Sequence, residues 1–193
     1  PPFSNGLRAI KETFPNGSNV ASTYMEGPSV PWLLGNHYKV AFTGHMMFTR
    51  PSAERHYVTM VEAKTGWLEE LAQHGIKSVA MPTNNIMDGS ATPLLTNIAY
   101  DPAWRLAATD PEGVTYIKLD EGVALSAHKK LGEIKTYWHV VLDGMKKAGQ
   151  PDSPAGIRTS MLAKTELQRL STLEEKPDDV IMDNLAIPES QTP

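Results

Sequence analysis

Six histidines, at positions 37, 45, 56, 74, 128 and 139, are the side chains best suited to moving a proton near neutral pH. His56 stands out because Met60, Ala63, Trp67, Leu71 and His74 follow it at helical spacing. That stripe turns His56 toward the interior, where burial brings a titratable group toward the working pH. His45 alternates on a strand-like segment. Asp120 follows an alternating run that ends at Leu119, and a carboxylate at a strand end reaches a cavity mouth. Tyr57, Tyr100 and Tyr116 add hydroxyls that donate or accept protons. Together these residue types point to general acid–base chemistry, with Asp120, His56, His45 and Tyr57 as the candidate catalytic groups.

Each has a structural alternative. A histidine on an apolar helix face is also a satisfied core residue, and Asp120 is also a helix N-cap. His74 beside Gly75 reads as helix C-terminal electrostatics. His128 has Lys129 and Lys130 as neighbours, which places it near solvent.

Other chemistries find little support. The chain has 193 residues and no cysteine, so disulfides, thiolate nucleophiles and sulfur-ligated metals are excluded. Gly113, Gly122 and Gly132 do not have dinucleotide or phosphate-loop spacing, and neither HExxH nor GxSxG occurs. His37 and His45 would lie roughly 26 Å apart along an extended strand. No metal site and no organic cofactor are expected.

The apolar inventory points to a ligand class. Nine Met and four Trp accompany only four Phe, and methionine fills irregular, adaptable cavities. Phe42, Met46, Phe48, Met60, Trp67, Trp104 and Tyr116 are the candidate lining of a pocket for a small hydrophobic molecule, with Met47, Met81 and Met87 as further contributors. The alternative is an ordinary core with methionine as filler.

The elements that would position these groups follow from proline placement and periodicity. The windows 52–81 and 112–150 contain no proline, so regular structure should concentrate there. Leu7, Ile10 and Phe14 suit two helical turns, and 15–29 reads as loop. Residues 37–48 read as a long strand, 53–74 as a helix, and Ile76 to Met81 as a short strand. Leu94 to Tyr100 suggests another strand and Ala103 to Ala108 a helical turn. Val114 to Leu119 is an alternating strand, and 123–148 is the strongest helix. Ile157 to Met161 is a last strand or part of a helix reaching Glu175, and the polar tail 176–193 reads as an arm or as disordered.

The order strand, helix, strand, strand, helix, strand predicts an α+β fold with a ferredoxin-like βαββαβ sheet. It divides the chain into an N-terminal extension (1–36), a core domain (37–163), and a C-terminal helix and tail (164–193). By this element order the chain resembles the ferredoxin-like α+β-barrel small-molecule enzymes, pinene oxide lyase being one concrete version. The resemblance implies a cofactor-independent lyase or isomerase. In that version Asp120 or His56 protonates a terpenoid epoxide, aromatic faces stabilise the developing cation, and His45 or a tyrosine removes a proton.

Lys plus Arg is 18 against 22 Asp plus Glu, a formal charge of −4, so no basic footprint for nucleic acid is visible. No apolar run approaches the length of a membrane span, and the first residues lack a secretory pattern. The expectation is a cytoplasmic monomer or homodimer. Two alternatives stay open: a non-enzymatic subunit of a larger assembly such as a phage particle, with the ends as wrapping arms, and a hydrophobic-ligand carrier.

Overall fold

Apolar periodicity places the first helix directly. In α1 (Ser4–Thr13), Leu7 and Ile10 fall on one buried face. Its amino end is held by a distant carboxylate: the Asn5 amide donates to Asp110 Oδ1 at 3.0 Å, and the Gly6 amide to Oδ2 at 2.9 Å. These are two of the donors that a helix start leaves unpaired. The computed structural model describes residues 3–23, 27, 29–41, 51–111, 113–148 and 152–187. Within them the chain continues through β1 (Asn19–Ala21), α2 (Ser29–Leu34), β2 (Lys39–Val40), α3 (Pro51–Val61), α4 (Trp67–Gln73), β3 (Ile76–Pro82) and α5 (Pro93–Tyr100). It then forms β4 (Trp104–Asp110), β5 (Gly113–Lys118), α6 (Ala127–Ala148), α7 (Pro154–Ser171) and α8 (Asp178–Asn184).

The architecture is mixed α+β, built on one open five-stranded sheet of order β2-β1-β3-β5-β4. It has one strand more than the four-stranded ferredoxin-like sheet expected from element order. Two of the five, β1 and β4, fall in stretches not expected to be strands, while 157–161 is helical; Asn19 to Ala21 of β1 pair in parallel with both β2 and β3. β5 runs antiparallel to β3 and to β4.

Side chains alternate across the sheet. Phe3, Leu7, Ile10, Val20, Val30, Leu34, Tyr38 and Ala80 form a small cluster with α1 and α2 on one face. Val79, Met81, Val114 and Tyr116 face the larger core, packed against α3 to α8.

Several local expectations change, each for a physical reason. Leu94 to Tyr100 is helix α5, not a strand. All seven of those residues are buried, so the run has no polar face to reveal a helical period. Trp104 to Asp110 is strand β4, not a helical turn, because it closes a hairpin onto β5. The 53–74 helix is broken into α3 and α4. The helical alternative holds for α7, whose start is capped by Ser153 Oγ accepting from the Gly156 amide at 2.8 Å. The tail carries α8, whose Ile181 is fully buried. Of the long strand expected over 37–48, β2 is present, and 42–50 lie outside the described residues.

A buried polar network ties these outer helices together. The Tyr100 hydroxyl donates to Glu166 Oε2 at 2.6 Å and accepts from Trp138 Nε1 at 2.9 Å. Arg169 clamps the same carboxylate from Nη2 at 2.7 Å, and its Nη1 reaches the Asn184 carbonyl at 2.6 Å. Burial and the neighbouring carboxylate push the Tyr100 phenol far above its usual range, so it stays a donor.

Candidate functional site

The site grows out of the break between α3 and α4. Helix α3 ends in a Schellman motif: the Lys64 amide reaches back to the Thr59 carbonyl at 2.9 Å and the Ala63 amide to the Met60 carbonyl at 3.1 Å. Ala63 takes the left-handed conformation this needs, with φ of 47°, and buries its methyl group in the core. Gly66, φ 93°, then starts α4. The chain doubles back and α4 packs against α3.

This hairpin brings three side chains together. His56 Nδ1 lies 2.8 Å from Glu70 Oε1, and His74 Nε2 lies 3.6 Å from Glu70 Oε2. The two imidazole rings meet edge to face, with centroids 6.1 Å apart. Glu70 and His74 share a face of α4 because they are one turn apart, and Trp67 opens the same face one turn earlier. The His56 side chain is 40% exposed and His74 33%, against 15% for Glu70. The carboxylate therefore forms the floor of the site, and both rings are reachable from solvent.

The electrostatics follow from the geometry. An ionised carboxylate only accepts, so the 2.8 Å contact puts the His56 proton on Nδ1 and leaves the Nε2 lone pair for chemistry. Glu70 Oε2 is buried and has no hydrogen-bond partner among the described residues. His74 is fixed through its backbone: its carbonyl accepts from Asn19 Nδ2 at 2.7 Å where α4 leads into β3.

The other expected residues are placed as follows. Tyr57, Met60, Trp104 and Tyr116 are buried in the main core. Trp67 is half-buried at the start of α4. Asp120 lies exposed on the turn after β5, where its carbonyl accepts from the Val123 amide at 3.0 Å. It makes no side-chain hydrogen bond or ion pair to another described residue. Phe42, His45, Met46 and Phe48 lie outside the described residues, as does Met47. His128 pairs with Asp178 at 2.7 Å and joins the start of α6 to α8. Met87 is 79% exposed.

Two residues of the site were not singled out for chemistry by the sequence. From the sequence His74 reads as helix-end electrostatics, and Glu70 is one of several acids with no signal of its own. The available signal was Thr65-Gly66 inside an otherwise helical stretch, followed by Trp67, Glu70 and His74 at spacings of three and four.

The class this defines is a mixed α+β protein whose sheet carries a two-histidine, one-carboxylate site on a helical hairpin. No protein-family model, curated protein or solved structure matches the chain.

Proposed function

We propose that the protein is a cofactor-independent lyase or isomerase that moves a proton on a small hydrophobic substrate. The supporting observation is the 2.8 Å contact between His56 Nδ1 and Glu70 Oε1. His56 is the acid–base residue and Glu70 the positioning residue that fixes its tautomer.

A strained terpenoid epoxide fits this chemistry. The His56 imidazolium donates its Nε2 proton to the epoxide oxygen as the C–O bond breaks, giving a hydroxyl and a carbocation. Neutral Nε2 then removes a proton from the adjacent carbon. The C–H electrons form the new double bond, and the imidazolium is restored. One group performs both transfers, so Asp120 is not required on the site. The Trp67 ring, on the same helix face as Glu70, is suited to stabilising the intermediate cation.

The test is turnover of a panel of small hydrophobic epoxides, α-pinene oxide among them, in the presence of a chelator. Product formation that falls about 10²-fold or more in folded His56→Ala supports the reading. No product from any epoxide, or equal rates in His56→Ala, contradicts it.

A further inference from the structure

The same hairpin presents a donor set that a shared proton does not exhaust. His56, Glu70 and His74 each offer a ligand atom, and these atoms all lie within 4.8 Å of one another. Among the described residues this is the one group of three histidine or carboxylate donors so placed. We propose that it binds a single divalent transition-metal ion of the zinc type. This inference goes beyond the proton-transfer reading and does not rest on it.

The geometry supports the assignment in three ways. First, a tetrahedral zinc with bonds of about 2.0–2.2 Å needs its donor atoms about 3.3 Å apart. Glu70 Oε2 and His74 Nε2 are already 3.6 Å apart. His56 Nδ1 and Glu70 Oε1 are at 2.8 Å, the spacing of two atoms sharing a proton. With Glu70 binding through a single oxygen, a cation replaces that proton once side-chain torsions bring His56 Nδ1 to donor spacing from that oxygen. Second, Glu70 Oε2 is a buried carboxylate oxygen with no hydrogen-bond partner among the described residues. Buried anionic oxygens of this kind are ordinarily paired or bound to metal. Third, the support is firm where it must be. Glu70 and His74 sit one turn apart on α4, and the His74 backbone is anchored to β1 through Asn19 at 2.7 Å.

Donor chemistry selects the ion. Two imidazoles and one carboxylate favour zinc, cobalt(II) or nickel(II) over calcium and magnesium, which prefer all-oxygen shells. Three protein ligands leave a fourth position. That position would be taken by water or by an oxygen of a bound molecule. Metal binding takes the proton from His56 Nδ1, so occupancy by metal and the His56–Glu70 hydrogen bond exclude one another.

The test uses the full chain and no substrate. Zinc chloride is titrated by calorimetry, and cobalt(II) chloride by its visible d–d absorption. The expected result is one ion per chain with micromolar or tighter affinity and a four- or five-coordinate cobalt spectrum. Affinity should fall at least tenfold in His56→Ala and in His74→Ala, and remain in His128→Ala, which removes a histidine from a different pair. Circular dichroism checks folding, and His56→Gln and His74→Gln replace any alanine variant that fails to fold. No binding by the wild-type chain up to 1 mM metal would overturn the proposal. So would binding that persists at wild-type strength in both folded ring-removal variants. Loss of epoxide turnover with metal binding intact would remove only the proton-transfer reading.

Discussion

The His56 and His74 rings stand edge to face, 6.1 Å between centroids and 77° between planes. Eighteen residues separate them in the chain, about 27 Å along a continuous helix at 1.5 Å per residue. Their meeting, and the Glu70 carboxylate between them, therefore depends on the reversal at residues 62–66.

That reversal can be tested at Gly66, whose φ is 93°. A Cβ there would meet nothing closer than Glu69 Oε2 at 4.0 Å, so substitution adds backbone strain without a clash. Gly66→Ala should destabilise the protein by about 1–2 kcal/mol in urea denaturation. An unchanged midpoint would show that the turn is not held in the left-handed region.

Asp110 should matter more than a surface acid. Its carboxylate accepts the Asn5 and Gly6 amides at the start of α1. Asp110→Ala leaves both amides short of a partner and should lower stability by about 1–3 kcal/mol, with hydrogen exchange accelerated in α1. Exchange protection equal to wild type would contradict this.

Two buried tyrosines should respond oppositely to loss of the hydroxyl. Tyr100 bridges Glu166 and Trp138, so Tyr100→Phe should cost about 1–3 kcal/mol. The Tyr116 hydroxyl is buried with no hydrogen-bond partner among the described residues. Tyr116→Phe removes an unsatisfied group and should leave stability equal or higher. A larger loss at Tyr116 than at Tyr100 would reverse the assignment.

Lys130 sets a pH dependence. Its ammonium is buried against the carbonyls of Asp101 and Trp104, at 2.6 and 2.8 Å. Burial pushes its pKa down to about 8 from the usual 10.5, with Glu133 and Asp101 opposing the shift. Between these values the unfolded chain holds a proton that the folded chain has released, so stability rises with pH. The penalty is fully present below about pH 8 and is relieved as pH climbs toward 10.5. Subtracting the Lys130→Met curve from wild type should isolate a rise of roughly 1–3 kcal/mol over that window. Parallel curves would contradict it.

The sequence disclosed those elements whose two faces differ in polarity. α6 is legible because Leu131, Ile134, Trp138, Val141 and Met145 are buried while Lys129, His139 and Lys146 are exposed. β5, buried on both faces, is legible instead by its β-branched and aromatic run and its flanking turn signals. α5 is not, because a helix buried on every side has no period to read. The site was half legible. His56 could be chosen from its stripe, but the stripe runs through residue 67 in unbroken phase, since α4 also buries one face. A single left-handed alanine, which carries no sequence signature, converts that continuous pattern into two antiparallel surfaces. Glu70 and His74 become partners of His56 only after that turn is made.

The most direct test of the account is the tautomer of His56, read from ¹⁵N imidazole shifts and their proton couplings at a pH where the ring is neutral. The geometry requires the proton on Nδ1 in the wild-type protein and a shift toward the Nε2–H form in Glu70→Ala. An Nε2–H imidazole in the wild type, unchanged by loss of Glu70, would contradict the positioning role and the proton-transfer chemistry built on it.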